Sequence, residues 1–299
     1  MLIHSIPEKA WYWYGNFSRC VKRGRIVSDL VQFVSEIDPT MVIVFPTSDG
    51  FVKTIETGSE STIDSTTLDQ LKSTIPSGKR YILTGLCTRE FTDDRLLLLP
   101  LDDESYTHGV HYSVISRTHI PPWETRLPIA FWRGGVSGGT YPTIRTNVVE
   151  FMRDYPYSDF KFVPTSESHL RTGPLDMTDI RMFDKDRHIN YQVTFKYILI
   201  LDGACIASAH QWVFASGSVP ILLTHPENNF WFKKYLQPWV HYVPVNYDLS
   251  DLKEKIEWLR DNDADAKRIA ANAVRFALNI LSPEFQRGYL HEEVVRLTQ

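Results

Sequence analysis

One short stretch constrains the fold of this chain more than any other. The apolar run that follows Lys196 and ends at Leu201 predicts a buried parallel strand. Asp202 and Gly203 then predict a tight turn, and small residues lead into a helix that opens near Ser208. Such a strand–turn–helix junction offers backbone N–H groups and the positive end of a helix dipole to an anion, most often a phosphate.

A glycine-rich loop farther upstream is also suited to an anion. Arg133 leads into Gly134, Gly135 and Ser137, and Arg145 follows at the start of the next predicted helix. Glycines let the backbone approach a ligand closely, and an arginine can bind a diphosphate with two parallel hydrogen bonds. Two such loops predict a nucleotide diphosphate ligand, although the glycines could equally form a flexible connection beside a surface arginine.

Composition narrows the class of protein. The chain has 299 residues, 43% of them hydrophobic and 23% charged, with a net charge of −4. These values predict a soluble, two-domain globular protein without the cationic surface that nucleic acid requires. We find neither a signal peptide nor an apolar run near the ~20 residues of a membrane span. Three cysteines predict no disulfide framework and a cytoplasmic location.

Strands and helices alternate twice along the chain, which is typical of the α/β class. The predicted strands cover residues 41–45, 80–85, 96–101, 128–132, 160–163, 196–201, 219–223 and 241–245, and the longer helices cover residues 16–37, 143–154, 264–281 and 284–297. A proline-rich linker at residues 119–124 separates the two series. We therefore predict two Rossmann-like domains that face a cleft, with ligands bound at the carboxyl ends of the strands.

Further polar residues are candidates for the site. Lys196 precedes the central strand, and Ser208 and His210 open the helix after it, where a hydroxyl and an imidazole could donate to phosphate. Ordinary structural roles stay open for all three: a lysine at the solvated start of a strand, a serine cap and a packed histidine.

The first half of the chain supplies carboxylates. Glu90 could act as a general base toward a hydroxyl, and Asp102 and Asp103 could hold magnesium or manganese. Each could also be a solvated loop residue, and no zinc-like spacing is present. Tyr106 and His241 are candidates to line the cleft, with core packing as the alternative for the segment around His241.

In combination and order, several segments resemble glycosyltransferase family 90, the capsule-associated and Rumi-like protein O-glucosyltransferases. They are Phe131-Trp132-Arg133-Gly134 with Arg145, residues 196–203 with Ser208, residues 236–245, and residues 248–252 with Trp258. The resemblance spans roughly residues 131–281 and is thin over the first 120.

The resemblance implies the GT-B architecture. The domains are then residues 1–120 on the acceptor side, residues 121–282 for the sugar donor, and a terminal helix at residues 283–299 that could cross back to the first domain. It also implies a UDP-sugar donor carrying glucose or xylose, inversion at the anomeric carbon, and no required metal. The implied base is Glu90, and the implied donor-binding residues are Arg133, Gly134, Gly135, Ser137, Arg145, Lys196, Ser208 and His210.

Two positions depart from the family pattern. The family usually has an arginine where this chain has His210, and its catalytic aspartate corresponds to Glu90. The expected function is transfer of a sugar from a UDP-sugar to a hydroxyl of a glycan or glycoprotein. The alternatives are a non-catalytic protein that binds nucleotide sugars or glycans, and a metal-dependent transferase that uses Asp102 and Asp103.

Overall fold

The computed structural model describes most of the chain. The described residues are 2–6, 9–14, 23–46, 50–52, 62–63, 65–109, 119–135, 143–162, 188–203 and 206–299. They form two compact units. The first unit comprises Met1–Gly109, Glu227–Lys234 and Ile280–Gln299, and the second comprises Val110–Pro226 and Tyr235–Asn279. The sequence predicts a different division, with a domain boundary at residue 120 and with residues 227–234 in the second domain.

Strands and helices follow the order typical of α/β proteins. The strands are β1 (Leu2–Ile6), β2 (Lys9–Tyr14), β3 (Val42–Pro46), β4 (Gly50–Val52), β5 (Thr62–Ile63), β6 (Tyr81–Gly85), β7 (Cys87–Arg89), β8 (Leu96–Leu98), β9 (Leu127–Gly134), β10 (Ser158–Phe162), β11 (Phe195–Leu201), β12 (Val219–Leu223), β13 (Asn228–Phe230) and β14 (Val243–Pro244). The helices are α1 (Gly24–Ile37), α2 (Ser65–Ser73), α3 (Asp103–His108), α4 (Ile144–Phe151), α5 (His188–Gln192), α6 (Ala209–Ala215), α7 (Leu252–Asp261), α8 (Asp263–Asn279) and α9 (Pro283–Thr298). In the described part of the chain, none of these helices is both long and apolar enough to cross a membrane.

The first unit contains two sheets. One has the strand order β1-β2-β3-β6-β8 and is parallel except for the antiparallel pair of β1 and β2. The other has the order β13-β7-β4-β5, with β13 antiparallel to β7. Strand β13 comes from the short segment 227–234, which lies in sequence between two stretches of the second unit.

The C-terminal helix α9 (Pro283–Thr298) belongs to the first unit. The Arg287 guanidinium donates to the buried Asp29 carboxylate at 2.6 Å, and the Tyr289 hydroxyl donates to the Leu98 carbonyl at 2.8 Å. The prediction that this helix crosses back to the first domain is therefore confirmed.

The second unit has one fully parallel sheet with the order β10-β9-β11-β12-β14. If the strands of this sheet are numbered 1 to 5 in chain order, their order across the sheet is 2-1-3-4-5. This is the doubly wound order of flavodoxin-like proteins. Strand β12 is buried at every residue and β11 at every residue except Lys196. Continuous burial explains why both strands are uninterrupted apolar runs.

Several short elements differ from the predictions. Strands β4 and β5, which pair in parallel, are not among the predicted strands. The strand predicted at residues 241–245 is reduced to Val243–Pro244. The acidic segment around Asp103 begins a helix. Strands of two or three residues carry too little periodicity to be found by pattern alone.

The cysteine prediction is wrong for one residue. Cys87 on β7 is disulfide-bonded, while the other two cysteines, Cys20 and Cys205, lie outside the described residues. A disulfide argues against the cytoplasmic location that the cysteine count predicted, because such bonds persist mainly in oxidising compartments.

The packing of α9 leads to a prediction about stability. Asp29 is buried and accepts hydrogen bonds from Tyr106 and Arg287. Asp29→Asn removes the charge and turns an amide toward the guanidinium, so the free energy of unfolding should fall by about 2 kcal/mol in a denaturant titration. Glu36→Gln, an exposed change on the same helix, should stay within about 0.5 kcal/mol of wild type. Equal stability of both variants would contradict this role for Asp29.

Candidate functional site

The site begins where the strand order of the second unit reverses. Strands β9 and β11 are parallel neighbours, so their carboxyl ends meet at one edge of the sheet. Gly135 follows β9, and Asp202 and Gly203 follow β11. This reversal is the position where open α/β sheets bind ligands. Both loops that the sequence singled out therefore start at the same crevice of the second unit.

Arg145 joins the two loops. Its Nε donates to the Asp202 carbonyl and its Nη1 donates to the Gly135 carbonyl, each at 2.8 Å. The side chain is buried, and this burial lowers the pKa of Arg145 to about 10, while the Asp202 carboxylate acts in the opposite direction. The fork of the guanidinium is what allows one side chain to bind two carbonyls on different strands.

Helix α4 delivers Arg145 to this position. Thr143 caps the helix, with its hydroxyl accepting from the Thr146 N–H at 3.3 Å. Arg145 therefore lies in the first helical turn, and its guanidinium carbon lies 5.8 Å from the centre of the Trp132 ring on β9.

Two glycines make room for these contacts. A Cβ atom at Gly203 would lie 3.0 Å from Nη2 of Arg145, and a Cβ atom at Gly134 would overlap the Trp132 ring. A side chain at either position would therefore require the arginine or the tryptophan to move. Close approach is thus the physical reason for glycine at the two loop starts.

The Asp202 carboxylate forms a second centre in the crevice. It is fully buried, and its Oδ2 accepts from the Thr224 hydroxyl and from the His225 backbone N–H, each at 2.8 Å. Its Oδ1 lies 3.2 Å from Nε2 of His210. One carboxylate thus binds the residues that follow β12 and lies close to the first turn of α6.

His210 is placed between two oxygen atoms. Its Nδ1 lies 3.0 Å from the Ala207 carbonyl, and its Nε2 faces Asp202. A carbonyl oxygen only accepts, so we assign the hydrogen to Nδ1. Both nitrogens donate only when the ring is an imidazolium, and in that form His210 supplies a positive charge where the family pattern has an arginine.

Ser208 and Ser137 are the other two predicted donor contacts of this region. Ser208 is exposed and makes no capping hydrogen bond to α6, which has seven residues. Ser137 lies outside the described residues.

Arg133 contacts the sheet itself. Its guanidinium pairs with the Asp159 carboxylate at 2.6 Å, donates to the carbonyls of Trp132 and Asp159, and lies over the Phe131 ring at 4.3 Å. These contacts tie strand β10 to β9. They explain a buried arginine at this position by packing and charge pairing within the sheet, and the predicted contact with the sugar donor stays a prediction.

Lys196 is separated from the crevice. It lies at the amino end of β11 and Asp202 follows the carboxyl end, so roughly 20 Å of extended chain lies between them. The Lys196 ammonium pairs with Asp263 at 2.6 Å and lies 4.9 Å from the centre of the Trp123 ring. Of the two interpretations of Lys196, the structure supports the one in which it is a residue at the start of a buried strand.

Glu90 lies in the first unit, directly after β7. Its carboxylate is exposed, and its backbone has a φ of 51°. A non-glycine residue in this left-handed region is uncommon and is found disproportionately at functional sites. The preceding Arg89 donates from Nε to the Asn228 side-chain oxygen on β13 at 2.7 Å.

The other acidic candidates act as helix caps. Asp102 accepts from the Ser105 N–H at 2.8 Å at the start of α3, and Asp103 accepts from the first N–H groups of α1, those of Arg25 and Ile26. Among the described residues, no group of three or more histidine, cysteine or acidic side chains is arranged to hold a metal ion. These contacts count against the metal-dependent alternative based on this pair.

The two tentative cleft residues also have structural surroundings. Tyr106 is buried and donates to Asp29 at 3.0 Å, and burial raises the pKa of its hydroxyl. Nδ1 of His241 accepts from the Gln237 N–H at 3.1 Å, and its ring packs against Phe276. Tyr106 is therefore an interior residue, and His241 is a half-buried residue of the second unit.

The family profile described as "Glycosyl transferase family 90" matches residues 109–292, more than half of the chain. This chain belongs to glycosyl transferase family 90. The match includes Arg145, Asp202 and His210, whereas Glu90 lies outside it. The family membership thus rests mainly on the unit that contains the crevice.

Curated relatives agree with this family. Protein O-glucosyltransferase 3 of Homo sapiens is 34% identical over 213 residues, covering 67% of this chain and 39% of the relative. Protein O-glucosyltransferase 2 of Danio rerio is 33% identical over 179 residues, with coverages of 58% and 33%. An uncharacterised protein of Frog virus 3 is 31% identical over 193 residues, with coverages of 57% and 20%. The chain thus spans well under half the length of these relatives.

Solved structures support the fold. The crystal structure of HepE from Anabaena in complex with UDP superposes with a TM-score of 0.51 at 8% identity, covering 94% of this chain and 77% of that one. At this identity the likeness concerns the fold alone. Together with the two α/β units and their parallel sheets, it confirms the predicted GT-B class.

Sequence reasoning missed two features of the site. The sequence analysis predicts Asp202 only as part of a turn and assigns no role to its carboxylate. An acidic residue directly after a buried strand is nevertheless a usable signal for a site residue. Asn228 gave no signal, because its partner Arg89 is 139 positions away.

The surroundings of His241 lead to a prediction about pH. Burial lowers its pKa below the ordinary value of 6.5. The unfolded chain therefore takes up this proton first, and wild type should lose stability as the pH falls below about 6.5. His241→Asn keeps an acceptor for Gln237 without titrating, so its melting temperature should fall less between pH 7 and pH 5.

The control for this prediction is His119→Asn, which changes an exposed histidine of the same unit. It should follow the wild-type curve. A His241→Asn curve parallel to wild type over this range would show that His241 does not contribute to the acid sensitivity.

Proposed function

We propose that this protein is an inverting glycosyltransferase that moves glucose or xylose from a UDP-sugar to a hydroxyl of a glycan or glycoprotein. The observation that carries the proposal is the bridge formed by Arg145 between Gly135 and Asp202 at the switch point of the parallel sheet. A buried cation among glycine-rich loop starts is the chemistry that a diphosphate requires. Family membership supports the same activity.

The charge of the leaving group explains the composition of the crevice. As the bond between the sugar and UDP breaks, negative charge grows on the diphosphate, and preorganised positive charge lowers the barrier. Arg145 supplies a fixed charge, and His210 supplies a second in its imidazolium form. In this proposal Asp202 neutralises part of that charge before UDP binds and keeps both side chains in place.

Glu90 is the proposed base. Its carboxylate takes the proton of the acceptor hydroxyl, the acceptor oxygen forms a bond to the anomeric carbon, and UDP departs with the electron pair of the bond that breaks. Attack opposite the leaving group inverts the anomeric centre. The exposed carboxylate and the left-handed backbone at Glu90 support this role.

We further propose that no metal ion takes part. Asp102 and Asp103, the pair considered as ligands, already bind the N-terminal N–H groups of two helices. UDP release should therefore be the same with and without a chelator. Loss of UDP release in the presence of a chelator would favour the metal-dependent alternative.

The compartment is tested separately. The disulfide at Cys87 opposes the predicted cytoplasmic location. Because Cys87 is buried, its alkylation in protein denatured directly from cells, before and after reduction, decides between the two. Reaction before reduction would favour the cytoplasm.

One prediction concerns UDP binding. Arg145→Lys replaces the fork with one ammonium that cannot bind both carbonyls, so the dissociation constant for UDP should rise at least ~10-fold, or about 1.4 kcal/mol. Gly203→Ala should give a smaller rise, because Nη2 must give way to the new Cβ. The measurement is isothermal titration calorimetry with UDP.

The matched control is Arg153→Lys, a change at a surface arginine that pairs with Glu150 just after the same helix. It should bind UDP like wild type. If Arg145→Lys also binds like wild type while keeping its melting temperature, the crevice is not the UDP site.

A further prediction concerns the base. Glu90→Gln keeps the shape of the side chain but cannot accept the proton, so sugar transfer should slow by ~10²–10⁴-fold. UDP affinity should not change. Glu104→Gln, at an exposed carboxylate of the same unit, is the control and should retain activity. The assay is UDP release with UDP-glucose and UDP-xylose.

The same assay addresses the non-catalytic alternative. Wild-type protein that binds UDP but releases none from either donor, with glycan and glycoprotein acceptors present, would support a binding protein. Sugar transfer that persists in Glu90→Gln would support a transferase and reject only the role of Glu90 as the base.

A further inference from the structure

The residue that precedes the proposed base is held by a distant part of the chain. Arg89 ends strand β7 and is paired in register with Asn228 of β13. The two side chains also bind each other, with Nε of Arg89 donating to Oδ1 of Asn228 at 2.7 Å. Asn228 itself is buried. The last residue before Glu90 is thus fixed both by its backbone ladder and by its side chain.

Glu90 depends on this attachment more than an ordinary strand end would. Its φ of 51° lies in a region that non-glycine residues enter only when their surroundings impose it. Its carboxylate is exposed and makes no hydrogen bond or ion pair within the described part of the chain. The point from which this side chain extends is therefore set by the backbone that leads into it, namely by where β7 ends.

Asn228 also belongs to a segment anchored at the crevice. Thr224 and His225, which bind the Asp202 carboxylate, precede it by a few residues. The chain passes from the second unit to the first between Pro226 and Glu227. One short segment therefore holds the UDP-site carboxylate at its beginning and Arg89 at its end.

On the basis of the proposed function, we propose that Asn228 is a positioning residue for the reaction, acting on Glu90 through Arg89. It does not touch the reacting atoms. It keeps the end of β7, and with it the proposed base, in the orientation needed for proton removal. Misplacement of a reacting group by about 1 Å can cost on the order of 10²-fold in rate.

The test compares Asn228→Leu with Asn228→Asp. Leucine has a similar volume and no acceptor, whereas aspartate keeps an oxygen for Nε of Arg89. We expect Asn228→Leu to lower kcat on the order of 10²-fold with an unchanged dissociation constant for UDP, and Asn228→Asp to retain most of the activity. Gln286→Met, at another buried amide of the same unit, is the control and should lose stability without losing kcat.

A double-mutant comparison separates positioning from general structural damage. In the Glu90→Gln background, Asn228→Leu should cause no further loss of rate, because its effect passes through the carboxylate that is already absent. Equal fold-losses in both backgrounds would overturn the proposal. If Asn228→Leu does not fold, Arg89→Lys, which lacks the Nε donor, should show the same loss and the same non-additivity.

The outcomes also distinguish this inference from the function it depends on. Inactive wild type, or active Glu90→Gln, would reject the proposed function or its base. Active wild type, inactive Glu90→Gln and fully active Asn228→Leu would reject only the role of Asn228.

Discussion

The second unit is organised around the guanidinium of Arg145. It is buried, it bridges the Asp202 and Gly135 carbonyls, and it lies between two parallel strands at the point where their order reverses. A charge in this position is costly unless its donors are bound. Several surrounding features answer that requirement: the glycine at position 203, the buried Asp202 carboxylate and the capped first turn of α4. The arrangement leaves a fixed positive charge where a phosphate-bearing ligand would bind.

The surroundings of Asp202 show how stability and function share one group. Its Oδ2 orders the residues after β12, and its Oδ1 faces His210. A buried carboxylate without these partners would be strongly unfavourable. With them, it connects the ends of β11 and β12 to the helix that begins at Ala209. A substitution at one of these residues therefore changes the surroundings of the others.

The sequence predicted the sheet of the second unit well and the contacts of its polar residues less well. Strands such as Val219–Leu223 are continuous apolar runs whose burial on both faces leaves no other arrangement. By contrast, Arg133 and Arg145 are both predicted to bind the sugar donor, yet one pairs with Asp159 within the sheet and the other bridges the crevice. Partners such as Asp159 and Asn228 come from distant segments, and spacing along the chain carries no information about them. Asp103 is a similar case, since its role as a cap depends on the distant helix α1, whereas Asp102 caps α3 through the nearby Ser105 N–H.

The discontinuity of the first unit has a consequence for biosynthesis. Its second sheet needs β13, from the segment Glu227–Lys234, and its helical layer needs α9 near the end of the chain. During translation, domains normally fold as soon as they emerge from the ribosome. Here the unit that contains residues 2–109 has to wait for α9, so it is completed only after the second unit, which ends at Asn279, has been made. Until then its exposed strand edges would need protection, for example by a chaperone.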